Sequence, residues 1–468
     1  MIKIMFLIIA MFFSYMIFSS KESYKKLLWV IIGLIILHAN IIVIEAPLIM
    51  PISRWLIFTL LFSELYKYNR FISELKRFPL KNTLFLLILG SFCIAIFDKR
   101  LEFFYKIYNP FCELTDTYFI VFLGYYAIKN KSDIYKLAKP IIILLIIVTI
   151  LGILNWVTKQ NPYHELVVNT YIKHNSAFYQ ALISSIEGAT DRYRASSTFD
   201  MTFNYGYVSS LLALFSFAIY NSGINKLKLL AIIGSLAGLI GTVLCFSRTV
   251  LSSTIIAFVV IILFSTSFSK KIIISIIIII FGLTIYYTLP IFKKSIDNNV
   301  DIIATGGAKT GGSSIEMRHF QLLGAYKYFL KSPIIGNGYK YISNELGWGD
   351  QDNKQLDNNM CGYESIIYQL MIEQGIIGIF TKCLLIISLI FFFLQNINTN
   401  KNLTGFGLAV VTLFLFFSIG TGPLGSWPIS MLFLGIIMKS IVLNCHNIAI
   451  GKKYEILNRN TRFQSNIS

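Results

Sequence analysis

Ile141–Ile150 reads IIILLIIVTI and Ile272–Ile280 reads IIISIIIII. A helix built on either run has no polar stripe to turn toward water, so hydrocarbon is the solvent that fits every face. Working outward, apolar runs of about 17–20 residues recur along the chain, each long enough to cross a bilayer core. They fall near 2–18, 27–44, 48–63, 83–97, 115–128, 140–157, 202–220, 229–246, 249–267, 272–289, 365–394, 404–420 and 427–443. The composition agrees: of 468 residues 55% are hydrophobic and 14% charged, where soluble domains carry roughly 25% charged residues. The expected fold is all-α, a polytopic membrane helical bundle of about 13 transmembrane helices.

The formal net charge of +18 sits mostly on lysines in short loops. Lys21/Lys25/Lys26, Lys67 to Lys81, Lys129 to Lys139, Lys226/Lys228 and Lys270/Lys271 occupy alternate loops, and Lys452/Lys453/Arg459/Arg462 the tail. The positive-inside bias then accounts for them without nucleic acid as a partner, and makes those loops cytoplasmic. An odd number of spans puts the N-terminus outside. Met1–Ser19 lacks a small-residue cleavage site and reads as a span rather than a signal peptide. The six cysteines show no metal-ligand spacing, so no metal is expected. Cys112 and Cys361 both fall in outer loops, which leaves a disulfide open beside two free thiols.

The chain divides into N-terminal transmembrane helices (1–157), a first large external loop (158–201), central transmembrane helices (202–289), a larger external loop (290–364), C-terminal transmembrane helices (365–443) and a cytoplasmic tail (444–468). In the first loop, 163–186 can form a surface helix. The second opens with Gly306, Gly307, Gly311 and Gly312. It continues into an amphipathic helix over 314–331, which Ser332-Pro333 stops, and ends in an acidic, amide-rich stretch over 344–359.

Chemistry concentrates on the outer side. The segment Cys361–Gly378, CGYESIIYQLMIEQGIIG, carries Glu364 where a polar loop turns into an apolar helix. A carboxylate there is costly unless solvated or paired, so it is a functional candidate; capping its helix is the alternative. Gly375 and Gly378, three apart, would share a helix face. Arg248 lies between two apolar runs, Arg194 at the rim before Phe203, and Arg318 on the loop helix. Guanidinium forks bind phosphate bidentately, although an interfacial arginine can also simply snorkel to lipid headgroups. Asp200, Asn204 and Tyr207 share a helix face suited to a polar substrate, with a cap by Asp200 as the alternative. His319, His164 and His174 read as polar surface residues, and Arg54 as half of an intramembrane ion pair with Glu45.

Four stretches together resemble the superfamily of O-antigen ligases and Wzy-type O-antigen and capsule polymerases. Glu364-Ser365, nine residues, then Gly375-Ile-Ile-Gly378 is similar to the ligase signature, with Glu364 where a ligase has histidine. SRTVLSS (Ser247–Ser253), EMRHFQLLGAYKYFLKSPIIGNGY (Glu316–Tyr339) and RASSTFDMTFNYG (Arg194–Gly206) resemble the other motifs in the same order. Loss of the histidine favours the polymerase branch. The resemblance implies a lipid-dependent, GT-C-like glycosyltransferase fold and a metal-independent, inverting enzyme with no cofactor. Arg248 and Arg318 would hold the pyrophosphate of an undecaprenyl-linked donor, and Glu364 would stand at the acceptor hydroxyl. Arg194, Asp200, Asn204, Tyr207, His319 and Tyr339 are the expected substrate-binding residues. The implied partners are undecaprenyl pyrophosphate-linked oligosaccharide donor and acceptor, membrane lipid and a chain-length regulator. The implied place is the bacterial inner membrane, with the active site facing the periplasm. A ligase joining polymer to lipid A-core and a flippase are the competing readings.

Overall fold

The computed structural model describes residues 2–44, 49–172, 193–265, 287, 315–346, 363–422 and 427–445. Expected features over 45–48, 173–192, 266–286, 288–314, 347–362, 423–426 and 446–468 lie outside them, including the 272–289 span, the glycine-rich opening of the second loop, His174, Glu45 and Cys361.

Helices α1 (Ile2–Ser19), α2 (Ser23–Ile36) and α3 (Ile52–Leu65) pack together. α1 buries one stripe, Phe6, Ala10, Phe13 and Ile17, and exposes its remaining apolar side chains, as a helix at the lipid boundary does. A two-stranded antiparallel ribbon, Ile42–Ile44 with Met50–Pro51, joins α2 to α3. α4 (Tyr68–Arg77) and α5 (Lys81–Phe97) follow, bent by 100° at their break. α6 (Phe103–Glu113) runs through a π-helical turn, Leu114–Tyr118, into the fully buried α7 (Ile120–Ala127). Then come α8 (Asp133–Thr158), α9 (Pro162–Tyr171), α10 (Thr202–Asn221), α11 (Asn225–Leu244), α12 (Arg248–Ser265) and α13 (Ile315–Phe329). The last are α14 (Ile366–Glu373), α15 (Gly375–Gln395), α16 (Lys401–Thr421) and α17 (Trp427–Cys445).

Eight helices among the described residues are long and apolar enough to cross a membrane, or nine if α4 and α5 are one span. Of the expected thirteen, the 272–289 run lies outside the described residues, and three others are too short, for physical reasons at particular places. α2 and α3 have 14 residues each, a rise of about 21 Å against a core of about 30 Å. The 27–44 run stops at Ile36 and turns into the strand ribbon, and the 115–128 run is the π turn plus the eight residues of α7.

α10, α16 and α17 form the interior. Phe215, Phe406 and Phe433 meet there, and Trp427 packs edge-on against Phe414. Gly124 of α7 and Gly435 of α17 let the two backbones touch, because a Cβ on either would collide with the facing main chain.

The two ends of the bundle differ. α12 and α16 run antiparallel: Ser265 donates to the Asn402 carbonyl (3.3 Å) at one end, and Thr249 packs on Gly420 at the other. The first of these ends gathers the lysine-rich loops. There Lys26 pairs with Glu64 (3.5 Å), Lys439 with Glu74 (2.5 Å), Lys136 stands over Tyr24, and Arg70 reaches the Tyr126 carbonyl. Of the loops expected on one side from charge alone, those among the described residues that carry Lys25/Lys26, Lys67 to Lys81 and Lys129 to Lys139 share one end, while Lys270/Lys271 and the tail lie outside them. The other end carries Arg248, Arg318 and Glu364, and Lys3 at the start of α1 stands over Tyr171 of α9.

Candidate functional site

The site is built around a helix that the sequence does not advertise as broken. The apolar run expected over 365–394 is two helices, interrupted at Gln374-Gly375 with Gly375 at φ +59°. Gly375 and Gly378 therefore do not form a single packing face. The break exposes carbonyls at the end of α14 and N–H groups at the start of α15. The turn after α13, Pro333 to Gly338, satisfies both sets. Asn337 N–H and Gly338 N–H donate to the Ile372 and Glu373 carbonyls (both 2.9 Å), while Ile376 and Ile377 N–H donate to Pro333 and Ile334 (2.9 and 3.1 Å). A Cβ at Gly375 would lie 2.5 Å from Gly336 N, so glycine is required there for both conformation and close approach.

This docking brings α13 against α14 and sets the Arg318 guanidinium beside Glu364, at 3.7 Å with both side chains half exposed (44% and 42%). Arg318 also donates to the Gly420 carbonyl (3.0 Å), and the Glu364 N–H donates to Gln321 (3.0 Å). Ser365, rather than Glu364, caps α14, accepting from the Ile367 N–H (3.3 Å). The Glu364 carboxylate is thereby left for other partners. Its pKa is raised by burial, with Arg318 opposing the shift.

Arg248, exposed, is the first residue of α12. Its neighbour Thr249 packs on Gly420, the same residue that receives Arg318, so the two arginines reach one end of the bundle from different helices. Arg194 joins them: Ala195 N–H donates to the Leu244 carbonyl (3.1 Å), and the Arg194 charge acts on Cys245. The backbone is strained at these points. Phe246, two residues before Arg248, has φ +47°; the fully buried Tyr363, beside Glu364, has φ +34°; Ser197 and Lys340 have φ +50° and +57°. Such conformations cost roughly 1–3 kcal/mol each and concentrate where geometry is held for function.

Other expected residues fall elsewhere. Tyr207 is buried in the core, hydrogen-bonded to Ser430 (2.6 Å) and stacked on Phe417 (4.3 Å), and so does not present a surface to substrate. Asn204, also buried, donates to Asp200 (2.7 Å), which accepts from the Met201 N–H as well. Burial raises the Asp200 pKa. His319 is exposed next to Arg318. His164 is not a surface residue: it is buried, with Nδ1 2.9 Å from His38 Nε2. Arg54 pairs with Asp116 (2.7 Å), and Cys112 is a free thiol. No group of three His, Cys, Asp or Glu among the described residues could hold a metal ion.

Tyr339 opens onto a feature missed in the sequence, a cavity of about 590 Å³ between α3, α6 and α14. Its hydroxyl donates to Glu113 (2.7 Å), which also binds Lys382 (3.2 Å) and the Gln374 amide (2.8 Å). Lys382 lies two turns inside α15, and a lysine at that depth is the signal that would have pointed here. α14 divides the two regions. Ile366, Gln369, Leu370 and Glu373 line the cavity, while Tyr368 reaches toward the Arg318 carbonyl. No family model and no curated protein matches the chain.

Proposed function

We propose that this protein is a surface-polysaccharide polymerase of the O-antigen type, working at the outer face of a bacterial inner membrane. It would transfer a growing glycan from undecaprenyl pyrophosphate to a hydroxyl of a second lipid-linked repeat unit. The observation that carries the reading is the half-exposed Arg318–Glu364 pair at the arginine end, with Arg248 brought to the same end by its neighbour Thr249, which packs on Gly420. In the reaction the bond between the anomeric carbon and the pyrophosphate oxygen breaks, and a glycosidic bond to the acceptor oxygen forms. Arg248 and Arg318 would stabilise the charge developing on the leaving pyrophosphate. Glu364, its pKa raised by burial, would take the acceptor proton, a contribution of roughly 10²–10⁴-fold for a general base. The activated sugar arrives on lipid, so no nucleotide site is needed. Lysine enrichment of the opposite end supports placing that end in the cytoplasm.

The Glu113–Lys382 pair favours transport as a second reading. A flippase is expected to carry charge into the membrane depth, and this pair does. The lipid-linked glycans of a deletion strain separate the readings. A polymerase leaves single outward-facing repeat units, a ligase leaves full-length chains, and a flippase traps units facing inward. Glu364→Gln and Arg248→Ala variants should reach the membrane and leave single units on the carrier; normal polymer from both would exclude these roles.

A further inference from the structure

We infer that the cavity behind α14 is a second ligand site, built for an uncharged polyhydroxylated group, a glycosyl residue, and distinct from the arginine cluster. The glycosyl identity rests on the polymerase reading; the preference for a neutral polar ligand rests on the cavity alone.

At about 590 Å³ the cavity lies within the range of small-ligand sites. Its fixed charges balance in sign: Glu373, which accepts from the Ile342 N–H (3.1 Å), and Lys340 line it with one charge each, and the other acids are paired. Asp116 is held by Arg54 at 2.7 Å, and Glu113 by Lys382 at 3.2 Å, with the Tyr339 hydroxyl and Gln374 amide on the same carboxylate. A phosphate would have to displace a carboxylate from its cation, so an anion is disfavoured. A divalent cation would likewise have to strip these pairs. A lipid chain would strand several polar groups against hydrocarbon, at a cost for each. A neutral polyol fits, because a hydroxyl can donate to Asp116 Oδ1, which has no hydrogen-bond partner among the described residues, while a ring C–H face lies on Tyr105.

Trp427 supplies the independent mark of a ligand. The residue is 2% exposed and lines the cavity, and its indole N–H has no acceptor among the described residues. Buried donors are nearly always paired, and leaving one unpaired is costly. An oxygen of a bound ligand would complete it. The site also lies within reach of the ion pair: Gln369 is five residues beyond Glu364, about 8 Å along the helix. A sugar chain seated in the cavity could therefore extend past the start of α14 toward Glu364.

The test replaces Gln369 in the full-length protein with the photo-crosslinker p-benzoylphenylalanine, in cells that make the protein natively. Asn109, which lines the opposite wall, is the second position if the first variant does not accumulate. Ile387, 61% exposed on α15, is the lipid-facing control. Mass spectrometry of the adducted peptide is expected to give sugar fragments at Gln369 or Asn109 and phospholipid alone at Ile387. Trp427→Phe, which keeps a ring and removes the N–H, should lower the glycan adduct by about tenfold, as loss of one buried hydrogen bond would. Phospholipid adducts alone at both cavity positions, or equal glycan at Ile387, would overturn the site. A glycan adduct combined with full-length carrier-linked chains in the deletion strain would keep the cavity and remove the polymerase reading. The reverse pattern would remove the cavity and keep the polymerase.

Discussion

Two acid–base pairs flank α14, and their surroundings differ. Glu113 and Lys382 are enclosed, 18% and 8% exposed, and the carboxylate is bound by a lysine, a tyrosine hydroxyl and an amide. Arg318 and Glu364 stand half in solvent at a longer 3.7 Å. The enclosed pair has its hydrogen-bonding capacity used inside the protein, and removing one member leaves an uncompensated buried charge, at a cost of about 3–5 kcal/mol. The open pair contributes about 0–1 kcal/mol to stability, so its conformation and the strained residues beside it have to be explained by something other than folding. The first pair holds α6 to α15; the second is available to a ligand.

The largest effect expected from this contrast is on Lys382. Lys382→Ala should lower the thermal stability of the detergent-solubilised protein by about 3–5 kcal/mol, and pairing it with Glu113→Gln should restore a good part of that loss. Equal destabilisation by Arg318→Ala would erase the distinction.

Next is a dependence on pH centred on His164. Asn40 N–H donates to His38 Nδ1 (3.2 Å), so His38 Nε2 carries the proton and donates to His164 Nδ1. Burial lowers the His164 pKa from 6.5 to about 4. The unfolded chain binds this proton first as pH falls, so the stabilisation is full above pH 6.5 and is lost on the way down to pH 4. The amplitude is roughly 3 kcal/mol. Unfolding followed between pH 7.5 and 4.5 should show that slope, and His164→Gln should reduce it, leaving the part that belongs to His38, whose pKa burial also lowers. A wild-type profile with no slope would show the pair to be charged or exposed.

A smaller loss is expected at the break. Gly375→Ala forces a Cβ into the left-handed region, at roughly 1–2 kcal/mol before any collision with Gly336. Proteolysis of the α14–α15 junction should accelerate in this variant. Unchanged cleavage would mean that the junction is continuous helix.

Much of this architecture was legible in the sequence. Runs such as 141–150 carry no face for water, and charge sorted the lysine-rich loops among the described residues to one end. The interruption at Gln374-Gly375 was not, because a single glycine is tolerated inside an apolar helix and the cause is a turn at 333–338, distant along the chain. Charge and position alone grouped Arg318 with Glu364, and the two do lie 3.7 Å apart. The same reasoning placed Tyr207 at a substrate surface, because nothing local reveals that Phe417 and Ser430 cover it. Glu113 falls just before the 115–128 run and Lys382 inside the 365–394 run, and nothing local along the chain pairs them.

The most direct measurement of the central claim is the chain-length distribution of carrier-linked glycan in cells whose sole copy carries Glu364→Gln, a change that keeps shape and removes the base. Accumulation of one-unit glycans, with the variant present in the membrane at wild-type amounts, is the predicted result. A wild-type ladder of long chains would contradict it.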